Sequence, residues 1–304
     1  MPFTFRQLAL CLFIGVSLAA CGGGTNQVEE VSEPQLAPLP ETDSSSVGDH
    51  GSSDSNDGGD TDQGYTSDNP NNEHVPYRYL ENDGLFMYYE TEEESIYRQL
   101  LPEIFDMPDR LLIFAFVNDF YKLDFDAVPY KENAIFVLAK YQGKEVWHCI
   151  YMPVTDEHSL WAGVIGLGLP KSLGTIEFDK TPPNYNAIAY GQFGGEMRLT
   201  MDTHDVEITQ EQKQEMIDLS LIPSLNIRNG NVIEMGRTGE QASILEIADS
   251  FPHLVTVNYG NIDIQTDTDT ITVAHALDLK PSRILGAYYL HNKIPFSLTG
   301  TSVQ

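Results

Sequence analysis

The sequence predicts a mainly β domain with few helices, an antiparallel barrel or sandwich, carried behind a disordered N-terminal tether. Three observations predict it. Beyond residue 75, many short runs rich in β-branched and aromatic residues follow one another with turn signals between them. Only three stretches carry helical spacing. Residues 22–75 are mostly Gly, Ser, Asp, Asn and Pro, with too few apolar groups to offset the entropy of ordering them.

Taken in order, 85–90 reads as a strand. Thr91-Glu92-Glu93-Glu94 reads as a capping box opening a helix over 92–101, whose apolar face is Ile96, Leu100 and Leu101 and which Pro102 ends. Strands follow at 110–121, 134–141 and 145–152, the last two joined by the turn Tyr141-Gln142-Gly143-Lys144. A helix over 157–165 precedes strands at 175–179, 186–190 and 196–203. A helix over 211–219 leads to strands at 221–227 and 231–235 across Arg228-Asn229-Gly230-Asn231, and then to strands at 254–263, 270–275 and 283–290. Many strands, short turns and few helices favour antiparallel pairing. The run 163–168 (GVIGLG) follows helix-like sequence rather than opening a helix after a strand, so it reads as packing and not as a nucleotide loop.

The N-terminus divides into three expected regions. Residues 1–20 form a signal peptide, with Arg6 as its positive end and an apolar run from Leu8 to Ala20 that is too short to span a bilayer comfortably. The run ends Leu18-Ala19-Ala20-Cys21-Gly22, a lipobox pattern, so Cys21 is expected to be the lipidated residue (palmitate among its acyl chains) of an envelope lipoprotein, anchored in the outer membrane. Residues 21–75 form an acidic tether and 76–304 the folded domain. The Asp-rich run 54–62 lacks the closing Glu and flanking helices of an EF-hand, so no metal is expected there.

Charge and cysteine content exclude several classes. The net charge is -28, from 45 acidic and 17 basic residues; 12 acids lie within 22–75 and 33 elsewhere. A nucleic-acid surface needs a basic patch, and the excess of acid reads as solubility. Cys11 leaves with the signal peptide and Cys21 carries lipid, so Cys149 is the one thiol in the folded region, excluding an intrachain disulfide there. Its position in an apolar strand predicts burial. The histidines His148, His158, His204, His253, His275 and His291 are scattered without metal-binding spacing, and no structural zinc is expected.

The chemistry concentrates at Lys171, which stands between Leu169-Pro170 and Ser172-Leu173-Gly174. A lysine amine attacks a carbonyl only when neutral, and apolar surroundings disfavour the ammonium. The competing reading of the same residues is a solvated lysine in a Pro-Lys turn. The order of features is Tyr130-Lys131-Glu132, a strand over 134–140, Gly143, a strand over 146–152, Gly163, then Pro170-Lys171. Leu101-Pro102-Glu103 lies upstream and 279–289 (LKPSRILGAYY) downstream. In order and spacing these features resemble the acetoacetate decarboxylase family over nearly all of 75–299.

The resemblance implies a barrel or cone of antiparallel strands with the lysine inside. It also implies a lyase that decarboxylates a small β-keto acid through a Schiff base, without a cofactor. Lys171 takes the nucleophile position and Glu132 that of the acidic site residue, with Tyr130, Ser172 and Arg78 as substrate-binding candidates. Ser172 stands where the family carries a second lysine, and Asn82 where it carries an arginine, leaving Arg78 as the nearest cation in sequence. These departures keep two alternatives open: a non-catalytic ligand-binding lipoprotein that kept the fold, and an imine-based aldolase or dehydratase. The expected partners are a keto-acid substrate and, through Cys21, a membrane. Nucleic acid is not among them, and self-association is left open.

Overall fold

Two tight turns show how closely local sequence dictates this fold. The computed structural model describes residues 77–124, 127–192, 194–238, 242–267 and 275–303. The chain divides into two units at Gly64, and every described residue belongs to the second, Tyr65–Gln304. The expected signal peptide, Cys21, the tether with its Asp-rich run, and 270–274 lie outside the described residues.

Thirteen strands are described: β1 Tyr79–Glu90, β2 Leu112–Leu123, β3 Tyr130–Tyr141, β4 Lys144–Val154, β5 Lys171–Asp179, β6 Asn184–Gly191, β7 Glu196–Asp202, β8 Ser224–Arg228, β9 Asn231–Arg237, β10 Val255–Tyr259, β11 Asn261–Asp267, β12 Arg283–Asn292 and β13 Leu298–Val303. Helices are α1 Glu94–Leu100, α2 Glu157–Ala162, α3 Gln210–Ser220 and α4 Ile244–Ser250. The β3–β4 turn places Gln142 and Gly143 at φ 51° and 77°, and the β8–β9 turn places Asn229 and Gly230 at 49° and 79°. Two successive positive φ values make the twist of the turn match that of the strands, which is why these residue pairs are found there.

Hydrogen-bonded neighbours run β10-β12-β1-β2-β3-β4-β5-β6-β7-β11, with β8 bridging β4 and β9, and β13 on β9. The mainly β expectation holds. The barrel or cone does not: the described pairings form a large open path, and the sheet is mixed rather than purely antiparallel. β4 pairs in parallel with both β5 and β8. A parallel neighbour cannot be reached by a hairpin, and the β4–β5 connection accordingly crosses over through α2 and a π-helical turn, Gly163–Leu167.

Both faces of the central strands are buried. On β1, Phe86 and Tyr88 face a core completed by Met216, Ile217 and Leu219 of α3 and Leu245 of α4. Leu85, Met87 and Tyr89 face a second core with Tyr185, Ala187, Met197, Leu199 and Met201 from β6 and β7. Burial of each such Leu or Met contributes roughly 1.5–3 kcal/mol. The Tyr97 hydroxyl ties α1 to the sheet by donating toward the carbonyls of Leu112 (2.9 Å) and Leu138 (2.6 Å).

Several expectations need correction. Helix α1 begins at Glu94 with Glu93 as its cap and no side-chain cap bond; Thr91 instead accepts from the Glu93 N–H, so the box at 91–94 does not form. True capping boxes sit at Thr209/Gln212 and Ser243/Glu246, the second opening α4, a helix the periodicity did not predict. The expected strand 254–263 is two strands, because at Gly260 the chain leaves β12 for β7. A side chain at Gly260 would lie 2.5 Å from Met201 Cγ, so the switch needs glycine. His275 opens a short 3-10 turn, and β13 was not predicted at all.

Candidate active site

The crossover between β4 and β5 delivers Lys171. Asp156 caps α2 by accepting the Ser159 N–H at 2.8 Å. The π turn follows, and Gly168 ends it at φ 69°. The chain then enters β5 at Lys171, opposite Met152 of β4. The lysine stem lies across Gly163: a methyl group there would stand 2.4 Å from Lys171 Cε and 2.5 Å from Cδ. Gly163 has ordinary helical backbone angles, φ -70° and ψ -44°, so glycine is required for space and not for conformation.

Strand β3 supplies the partner. Tyr130 and Glu132 are two residues apart, so strand alternation turns both to one face. Lys171 Nζ donates to Glu132 Oε2 at 3.1 Å, with the two side chains only 5% and 8% exposed. The same nitrogen stands 5.3 Å from the centre of the Tyr130 ring. The Tyr130 and Tyr79 hydroxyls are 2.9 Å apart. Phe120 packs 5.0 Å from Tyr130, Tyr77 lies 6.1 Å from it, and Phe296 stacks on Tyr79 at 4.7 Å. Burial, reinforced by the Glu132 carboxylate, pushes both the Tyr79 and Tyr130 phenols up, so both rings stay neutral and protonated. Burial likewise raises the Cys149 thiol, so the sulfur beside the pair stays protonated.

The structure brings together Lys171, Glu132 and Tyr130 of the expected site. It does not bring Arg78. That guanidinium lies at the surface, its side chain half exposed, 3.4 Å from Asp124. Tyr77 and Tyr79 on either side of it are buried, so alternation points Arg78 away from them. Ser172 follows Lys171 on β5, opposite Pro153, where alternation directs it to the other face. Asn82 belongs to a buried amide row, donating to Asn118 and accepting from Asn292, each at 3.0 Å. Sequence reasoning missed Gly163 as the lysine's seat, and the rings of Tyr77, Tyr79, Phe120 and Phe296. The alternation Tyr77-x-Tyr79 was the available signal for two of them.

A buried amine, a carboxylate within hydrogen-bond reach and a wall of aromatic rings can perform nucleophilic and proton-transfer chemistry with water excluded. The fold and site thus define a mainly β domain built around a buried lysine–carboxylate centre. The chain belongs to the acetoacetate decarboxylase family, as a divergent member: the family model described as Acetoacetate decarboxylase (ADC) matches residues 65–301. Among solved structures it is similar to acetoacetate decarboxylase from Legionella pneumophila (13% identity, 75% of this chain and 87% of that chain, TM-score 0.57). It is also similar to an acetoacetate decarboxylase-like enzyme from Sphingomonas wittichii RW1 (16% identity, 75% and 92%, TM-score 0.52). A third similar structure is the enduracididine biosynthesis enzyme MppR complexed with pyruvate (12% identity, 75% and 91%, TM-score 0.50). At these identities the likeness is one of fold. A comparison with curated protein sequences returns no match.

Proposed function

We propose that this protein is a Schiff-base-forming lyase that decarboxylates a small β-keto acid through Lys171. The observation that carries the reading is the buried Lys171–Glu132 pair. An ion-paired ammonium is not a nucleophile, so the route to the free amine runs through Glu132, which takes its proton as substrate enters. The amine then adds to the ketone carbon. Loss of water, with uptake of one proton, leaves a protonated imine. The bond to the carboxylate breaks, carbon dioxide departs, and the electron pair moves into the imine to give a neutral enamine. A proton returned to the enamine carbon and addition of water release the ketone and regenerate the lysine. The net reaction consumes one proton per carbon dioxide released.

A second reading, imine-based aldol or dehydration chemistry at the same lysine, is favoured by one observation: the similar MppR structure holds pyruvate, a keto acid with no β-carboxylate. Borohydride reduction in the presence of a panel of keto acids, read by mass spectrometry, tests the imine. Carbon dioxide release then separates the two reactions. The expected result is an adduct on Lys171 with release from a β-keto acid, both abolished in Lys171→Ala. Lys171→Arg should be equally inactive, because a guanidinium stays protonated. Binding of keto acids to Lys171→Ala as tight as to wild type, with no adduct and no carbon dioxide from wild type, would leave a ligand-binding protein instead.

We also propose that the protein works at the bacterial envelope, held by lipid on Cys21. The support is the Leu18-Ala19-Ala20-Cys21 pattern behind an apolar run. Incorporation of labelled palmitate into wild type and not into Cys21→Ser tests it.

A further inference from the structure

Tyr130 lies where the positive charge of the reaction develops. Lys171 Nζ is 5.3 Å from its ring centre, within the range at which an aromatic face attracts a cation, and the attraction strengthens when the cation is desolvated. The ammonium side chain is 5% exposed and Tyr130 is 2% exposed. The ring is also held still: its hydroxyl meets that of Tyr79 at 2.9 Å, Phe120 packs on it at 5.0 Å, and Tyr77 flanks it at 6.1 Å. The lysine stem also lies against Gly163, where an added methyl group would stand 2.4 Å from Lys171 Cε.

We infer that the Tyr130 ring, pinned by Tyr79, is a cation–π platform that stabilises the protonated imine on Lys171, and thereby selects carbonyl compounds that can condense with the amine. The inference rests on the Schiff-base reading above. Its logic lies in the charge balance of that reaction. When Glu132 has taken the ammonium proton, the carboxyl is neutral and no longer balances a cation. The imine that forms is positive and needs another partner, and the ring face beside the nitrogen supplies one. Loss of carbon dioxide then turns the cation into a neutral enamine, so the platform favours the state before the step more than the state after it. An interaction of that kind raises how much imine accumulates and gives no acceleration of the decarboxylation itself. Weakening the ring should raise KM and lower the trapped adduct while kcat stays level or rises.

The experiment places phenylalanine at position 130 (Tyr130→Phe), then phenylalanines carrying one, two and three ring fluorines. Each fluorine withdraws charge from the ring face at nearly constant shape, so packing is preserved and only the attraction for a cation changes. Full-length variants are incubated with one β-keto acid and reduced with borohydride, and the Lys171 adduct is quantified by mass spectrometry. The expected result is a stepwise fall in adduct along the series, totalling roughly 3- to 30-fold from phenylalanine to its trifluoro form, with KM rising in parallel. Tyr79→Phe in the chain that keeps Tyr130 removes the hydroxyl that pins the ring and should lower the adduct, whereas the same change beside phenylalanine at 130, which has no hydroxyl to pin, should add nothing further. Adduct that is constant along the series overturns the platform and leaves the Schiff-base reading standing. Absence of adduct in wild type overturns both.

Discussion

Gly163 and Lys171 share one volume. The lysine stem fills the space that a side chain at position 163 would take, and a methyl group added there would lie 2.4 Å from Cε and 3.2 Å from Nζ. The backbone at Gly163 suits alanine, since its φ is -70°. Gly163→Ala should therefore keep the fold while pushing the amine away from Glu132, with a melting temperature somewhat below wild type because the buried pair is pulled apart. A misplacement of about 1 Å costs on the order of 10²-fold in rate, and borohydride trapping should fall with it. A variant that traps as well as wild type would show that the lysine works from another rotamer.

The Lys171–Glu132 pair should weigh heavily on stability when only half of it is removed. Both side chains are nearly inaccessible to water. Lys171→Met strands a carboxylate in the interior and should cost about 3–5 kcal/mol. Adding Glu132→Gln to the same chain should recover most of that loss, because the stranded charge is gone. Urea unfolding of the two single variants and the double variant measures this. Additive losses would mean that the two groups do not interact in solution.

Glu132→Gln by itself should slow turnover by ~10²–10⁴-fold, since an amide cannot take the ammonium proton. Imine trapping should persist in part, because the amine that forms the imine is still present. Single-turnover measurements across pH would read this; turnover unchanged at neutral pH removes Glu132 from the proton path.

Arg78→Ala should leave keto-acid binding and turnover unchanged. Its guanidinium is half exposed and its partner is the surface carboxylate of Asp124. Isothermal titration with a keto acid provides the check, and a substantial loss of affinity would restore Arg78 as a substrate clamp.

His148 predicts a pH dependence of stability. Burial lowers its pKa from the ordinary 6.5, with the bond to the Leu225 carbonyl at 3.0 Å opposing the shift in part. In the window just below 6.5 the unfolded chain takes up a proton that the folded chain refuses, so stability is full above about 6.5 and declines as pH falls. His148→Gln, which keeps an N–H donor, should lose less stability than wild type between pH 7.5 and pH 5.5. Urea midpoints at several pH values test this, and parallel curves for the two proteins would exclude His148 as a source.

Much of the fold was legible because local residues dictate it. Gln142-Gly143 and Asn229-Gly230 take the left-handed angles that a two-residue hairpin needs, and both hairpins form as read. The start of β1 was harder to see, since Tyr79, Asn82 and Asp83 look like loop composition until their partners are known. Asn82 is tolerable in a strand only because Asn118 and Asn292 satisfy it from the neighbouring strands. The break at Gly260 depends on Met201, which is distant in sequence, so no local pattern announces it. The Ser243/Glu246 box was present in the residues and went unread.

By itself the sequence determined the mainly β character, the two hairpin turns, the three helices with clear periodicity, and Lys171 and Glu132 as the residues to watch. These follow from period-two patterning, turn chemistry and motif order, which act over a few residues. Tertiary structure decided that the described strands form a mixed sheet that does not close, that β4 and β5 run parallel, and that Arg78 faces water. It also decided that Lys171 meets Glu132, 39 residues away, over Gly163 and beside Tyr130. Such contacts depend on which strands become neighbours and which faces they turn to each other. That choice is made by the burial of whole faces at once, a collective property that no short stretch of chain carries.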